Sequence, residues 1–128
     1  MARYAGHMNE QEMKARTRAF ALRVIKLIDA MPVGRVGDVI GRQLLRSATS
    51  VGANYRAARR ARSRAEFISK LTIVEEEADE CGYWLDLLAT SGTIKASRLA
   101  ALMKEVDELT AIVVATIKST KRSRDKHS

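Results

Sequence analysis

The chain of 128 residues contains one cysteine, one proline and two histidines, and aromatic residues make up only 5% of it. Each shortage excludes something. A lone Cys81 can close no disulfide within the chain and build no cysteine zinc site, which suits a reducing cytoplasm. A single proline, with abundant Ala, Leu, Arg, Glu and Lys, favours helices over a sandwich or barrel. His7 and His127 stand near the two ends, so no helix interior offers an imidazole as base or ligand. No apolar run approaches the roughly 20 residues a membrane helix needs, and the N-terminus lacks the apolar stretch of a signal peptide. The expectation is a soluble, cytoplasmic protein with no membrane partner.

What is present is a balanced globular composition, 46% hydrophobic and 30% charged, with a net charge of +8. That is enough apolar content for one folded domain, and the basic excess points to an acidic partner. Residues 1–8 read as a flexible segment, in part an expression remnant with Met8 as the natural start. Residues 9–118 carry the periodic pattern, and 119–128 read as a basic, disordered tail.

Four helices follow from the spacing. Met13, Thr17, Phe20, Val24, Leu27 and Met31 mark the buried stripe of a first helix that starts near Asn9 and ends at Pro32 and Gly34. Asp38 is the expected cap of a second helix, whose stripe is Ile40, Leu44, Ala48, Val51, Tyr55 and Ala58. Ser63-Arg64-Ala65-Glu66 fits a capping box, so the second helix stops by about Arg62 and a third begins there. Leu71, Val74, Ala78, Cys81, Leu85 and Leu88 then form a heptad seam that runs to Ser91-Gly92. Leu99, Leu102, Val106, Leu109 and Val113 repeat the pattern in a fourth helix. Short links between helices of this length require sequence neighbours to run antiparallel, so the expected fold is all-α, an up-down-up-down four-helix bundle.

Odd residues interrupt these helices. Gly41, Gly52 and Gly82 each cost about 1 kcal/mol relative to alanine, which close helix packing would offset. The indole of Trp84 is expected to fill the room left beside Gly41 and Gly82. Ser47, Thr49, Ser50 and Asn54 are expected to make interhelical hydrogen bonds. Ser47 has no histidine or lysine base in reach as a nucleophile, so no catalytic residue is assigned and the protein is read as no enzyme. The acidic run Glu75, Glu76, Glu77, Asp79 and Glu80 suggests a carboxylate metal site, but the bundle pattern needs Glu-x-x-His on two helices and none is present. No metal or other cofactor is expected; Arg46 should instead pair with the stretch from Glu76 to Asp79, with Arg42 also partly neutralised.

Arg56, Arg59, Arg60, Arg62 and Arg64 crowd the turn between the second and third helices with no acid among them. Such a cluster is either a phosphate-binding surface or a solvated end. Lys118, Lys121, Arg122, Arg124 and Lys126 add a second, less specific group in the tail. Ile73, Tyr83 and Leu87 give the third helix an apolar face outside its seam, the signature of a homo-oligomer interface.

The run QLLRSATSVGANYRAARRARSRAEFISKL from Gln43, followed by IVEEEADECGYWLDLL and Gly92, resembles the four-helix-bundle proteins encoded by intervening sequences in bacterial 23S ribosomal RNA genes. The likeness rests on Leu44-Leu45-Arg46-Ser47-Ala48, Ser50-Val51, Asn54, Arg62-Ser63, Glu66-Phe67, Leu71, and Glu76 and Glu80 before Leu85. It spans roughly Ala15 to Lys118. Related bundles include accessory proteins of diversity-generating retroelements, which work beside a reverse transcriptase and bind nucleic acid. The resemblance implies a small cytoplasmic protein that assembles as a ring, with a homopentamer expected and no known catalytic residue. Many members carry Ala-Glu-Gly after the asparagine; Tyr55-Arg56-Ala57-Ala58 makes this chain more basic there. The expected function is nucleic-acid binding, to structured RNA or DNA, through phosphate contacts from the arginine turn. The alternative is an oligomeric adaptor for a protein partner such as an element-encoded polymerase.

Overall fold

In the computed structural model the side chain of Asn9 accepts from the Glu12 amide and starts α1, Glu10–Asp29. α2 spans Arg35–Arg59, α3 Arg64–Thr90 and α4 Ala96–His127. The structure describes residues 9–127, and side chains as far as Ser123. The segment 1–8 lies outside the described residues.

Contacts between α1 and α2 run in opposite senses along the two helices: Glu10 meets Arg59, Thr17 lies at Gly52, and Ile28 at Gly41. α2 and α3 are equally antiparallel, with Arg46 at Glu77 and Arg59 at Phe67. After α3, Gly92 takes the left-handed φ of 75° and the chain reverses, so that α4 returns along α3 with Val106 beside Gly82. The result is the antiparallel four-helix bundle. Of the four helix pairs in contact, α2 and α3 share the most extensive packing and α1 and α4 the least. Arg16 helps to join that looser pair, donating to Glu105 at 2.6 Å and to Glu108 at 3.0 Å.

The core follows the periodic stripes. All six seam positions of α3 and all five expected positions of α4 are buried, joined by Ile94, Ile112 and Ile117. In α1 the stripe is buried from Met13 to Leu27, while Met31 and Ile40 pack against the core only partly buried.

Several local expectations are corrected. Asp38 does not cap α2, because the helix starts three residues earlier, from an extended Gly34 with no side-chain cap. Gly37 is a poor helix former, but it is buried where a Cβ would stand 2.9 Å from the Met31 methyl; Asp38 falls in the first turn, a favourable place for a carboxylate. The capping box is half formed: Ser63 Oγ accepts from the Glu66 amide at 3.0 Å, but the Glu66 carboxylate accepts from the Arg62 amide at 3.4 Å rather than from Ser63. The backbone of α4 continues past Lys118 to His127, where a disordered tail was expected; Lys118 to His127 contains neither glycine nor proline to stop it.

The interior polar residues also differ from expectation. Ser47 donates to the Gln43 carbonyl at 2.6 Å, Thr49 to Leu45 at 2.8 Å, and Asn54 Nδ2 to the Ser50 carbonyl at 3.0 Å. These bonds lie within α2, since the carbonyl one turn back is always in reach; Ser47 alone also has a side-chain partner across the contact, Cys81 of α3. A Cβ at Gly41 would meet Ile28 and Met31 of the α1 side, and one at Gly82 would meet Val106. Those side chains, not the Trp84 indole, occupy the room the glycines leave.

Ser63 is the cap on which the turn and α3 both depend. Ser63→Ala should lower stability by about 1 kcal/mol in chemical denaturation, with an unchanged helical spectrum in the folded baseline.

Candidate nucleic-acid interface

An even number of antiparallel helices gathers the start of α1, the turn between α2 and α3, and the last turns of α4 at one end of the bundle. Arg56 and Arg59 stand on the last turns of α2, Arg60 is its C-cap, Arg62 lies in the turn and Arg64 opens α3. All five are exposed. α4 brings exposed Lys118, Lys121 and Arg122 to the same end. The two basic clusters, far apart in sequence, therefore lie at the same end of the bundle, on helices α2 and α4 that do not touch.

The turn is not wholly without acids of its own. Arg59 Nε donates to Glu10 Oε1 at 2.8 Å, and its guanidinium lies 5.3 Å from the centre of the Phe67 ring. Lys14 binds the other oxygen of Glu10 at 3.0 Å, and together Lys14 and Arg59 hold the Glu10 carboxyl below its ordinary value. The expectation that Arg59 is unneutralised is thus corrected; its acid comes from α1, not from α3. Arg56, Arg60, Arg62 and Arg64 make no ion pair among the described residues. Phe67 is half-buried beneath Arg59, and Phe20 and Tyr55 are buried, so this end shows no open aromatic face among the described residues. Its chemistry is that of guanidinium and ammonium donors, suited to phosphate oxygens rather than to stacked bases.

The acidic run on α3 is occupied elsewhere. Arg46 bridges from α2 to Glu77 at 2.9 Å and to Glu80, partners close to those expected. Arg42 is exposed and makes no ion pair among the described residues, against expectation. Among the described residues no His, Cys, Asp and Glu side chains gather as a group able to hold a metal ion. Cys81 is fully buried, and burial pushes its thiol up to about 12, so it stays protonated and unreactive.

Of the residues assigned to an oligomer interface, Tyr83 is 56% exposed and Ile73 and Leu87 are half-buried. Tyr83 stands edge-on to Trp84 with ring centres 5.1 Å apart, and the indole N–H donates to Glu80 at 3.2 Å. Sequence reasoning missed the exposed Val36 and Val39, which lie on the same side of α2 as Arg46 and, by the antiparallel register, beside the Tyr83 to Leu87 stretch. Their spacing of three residues, followed by Arg46 seven further on, was the available signal.

Trp84 is the single tryptophan and reports on this network. Arg46, then the indole, hold the Glu80 carboxyl below its ordinary value of 4.5. A lowered folded value means that the interaction is fully present above the unfolded carboxylate range and is lost as pH falls through the folded value. The emission of Trp84 should therefore change with a midpoint below 4.5, and Arg46→Gln should move that midpoint upward.

The model of the 23S rRNA-intervening sequence protein family matches residues 9–115. A crystal structure of a protein with unknown function from the S23 ribosomal protein family of Bacteroides thetaiotaomicron superposes with a TM-score of 0.78 at 35% identity, covering 87% of this chain and 99% of that one. No curated protein matches. No helix among the described residues is long and apolar enough to cross a membrane. With its bundle fold and a family match running from α1 into α4, the chain belongs to the 23S rRNA-intervening sequence protein family.

Proposed function

We propose that this protein is a non-enzymatic, ring-forming bundle that binds structured RNA or DNA by phosphate contacts from its basic end. The observation that carries the reading is the exposure of Arg56, Arg60, Arg62 and Arg64, without ion pairs among the described residues, at the bundle end to which α4 also brings Lys118, Lys121 and Arg122, while the acid Glu10 there is already paired to Lys14 and Arg59. Cations held together in excess over the nearby carboxylates, Glu10 and Glu66, favour a polyanion. The lack of an open aromatic platform at this end among the described residues favours recognition by shape and charge with little sequence preference.

Assembly would repeat this weak patch around a ring. The exposed face shared by Val36, Val39 and Tyr83, with Ile73 and Leu87 beside it, supports contact between copies through α2 and α3. A double variant, Tyr83→Lys with Leu87→Glu, should reduce the mass measured by light scattering to that of a smaller species while retaining the helical spectrum.

Binding to a labelled RNA stem-loop and a DNA duplex should fall steeply with salt. On the duplex, the slope of log affinity against log salt should be about −4 if the four unpaired turn arginines alone contact phosphates, and about −6 if the three α4 cations join them. Replacing Arg56, Arg60 and Arg62 by Ala together should weaken binding without changing the oligomer. Absence of measurable binding at about 50 mM salt, where counterion release is most favourable, would refute the reading. Capture of a protein that survives nuclease treatment, with no nucleic-acid binding, would instead support the adaptor.

A further inference from the structure

Between α1 and α2, beside the basic end, runs an open groove of about 280 Å³ lined by Lys14, Thr17, Arg18, Ala21, Thr49, Gly52, Ala53 and Arg56. Small residues make the space: Gly52 carries no side chain, although a Cβ there would only come into ordinary contact with Thr17 at 3.5 Å, and Ala21 and Ala53 leave the walls low. The charged residues of the lining are all cations. Arg18 and Arg56 are exposed and have no ion pair among the described residues; Lys14 spends one bond on Glu10, leaving two ammonium hydrogens. Lys14 and Arg18 are also four residues apart on one helix face, where like charges repel. An anion seated between them and Arg56 would relieve that repulsion. The threonine hydroxyls are committed to backbone carbonyls, Thr17 to Met13 at 2.9 Å and Thr49 to Leu45 at 2.8 Å, so the cations supply the donors.

We infer that this groove is a second phosphate site, which holds a phosphodiester of the same nucleic acid that the basic end grips. Arg56 belongs to both surfaces, being on the last turns of α2 and in the groove lining, so a backbone leaving the turn can pass by way of Arg56 along the α1 and α2 seam, beside a Glu10 already paired to Lys14 and Arg59. The inference rests on the proposed function and adds Lys14 and Arg18 to the contact set.

Two variants test it on the full chain without touching the turn. Arg18→Gln removes a charge; Ala53→Leu, at an exposed helix position, fills the groove and leaves every charge in place. Both should retain the wild-type spectrum and oligomer. Anisotropy of a labelled RNA stem-loop across a salt series should show about tenfold weaker binding for Arg18→Gln, the loss of one charge-assisted contact, and a salt slope shallower by about one. Ala53→Leu should weaken binding at least as much. If the wild type binds and both variants match it in affinity and slope, the groove assignment is wrong and the basic-end reading stands. If the wild type does not bind, both fall. Titration of inorganic phosphate into isotope-labelled protein forms the second arm. Shifts of the Gly52 and Ala53 amides that Arg18→Gln abolishes, in a protein that binds no RNA, would make the groove a free-anion site and overturn the phosphodiester assignment.

Discussion

The packing of α2 against α3 is the constraint from which the other features follow. Both helices bury small residues, and two of them, Ser47 of α2 and Cys81 of α3, face one another across the contact, the most extensive in the bundle. This contact fixes the antiparallel register, the register brings Arg46 to Glu77 and Glu80, and that pairing consumes the central acids of α3. The arginines farther along α2 are left beyond reach of those carboxylates. A basic end is therefore a product of helix alignment as much as of composition.

Charge in this molecule is sorted rather than merely abundant. Arg16 is clamped by Glu105 and Glu108, Arg46 by two acids of α3, and Arg59 by Glu10, so ion pairs tie neighbouring helices together along the sides. Exposed pairs of this kind contribute little stability each. Their larger effect is to decide which cations remain open to a ligand. Within the turn, Arg56, Arg60, Arg62 and Arg64 are open, and on α1 so is Arg18.

The core was legible from sequence because burial repeats at the helical period: the seam from Leu71 to Leu88 and the Ser63 cap could be located residue by residue. What depends on helix rotation or on distant partners was not. A serine, threonine or asparagine on a helix has two ways to satisfy itself: Thr49 and Asn54 took the local carbonyl, and Ser47 did so while also lying against Cys81 of the neighbouring helix. Spacing along α2 says that Gly41 is a contact but not that Ile28 and Met31 fill it. Arg59 looked unpartnered because Glu10 stands 49 positions earlier in the chain and meets it only after α1 docks. The groove at Gly52 escaped notice for the same reason, being made of halves that no single sequence window contains. The basic turn itself was plain, since five arginines between positions 56 and 64 need no geometry to be seen.

The parity of the bundle has a practical corollary. With four helices, the start of α1 and the end of α4 both emerge beside the arginine turn, while the opposite end presents only the α1 to α2 and α3 to α4 connections. Anything appended at either terminus, whether an affinity tag, a fluorescent reporter or a fused domain, is delivered onto the basic end. A label inserted at the exposed Gly92 turn would instead sit at the far pole, and leave that surface clear.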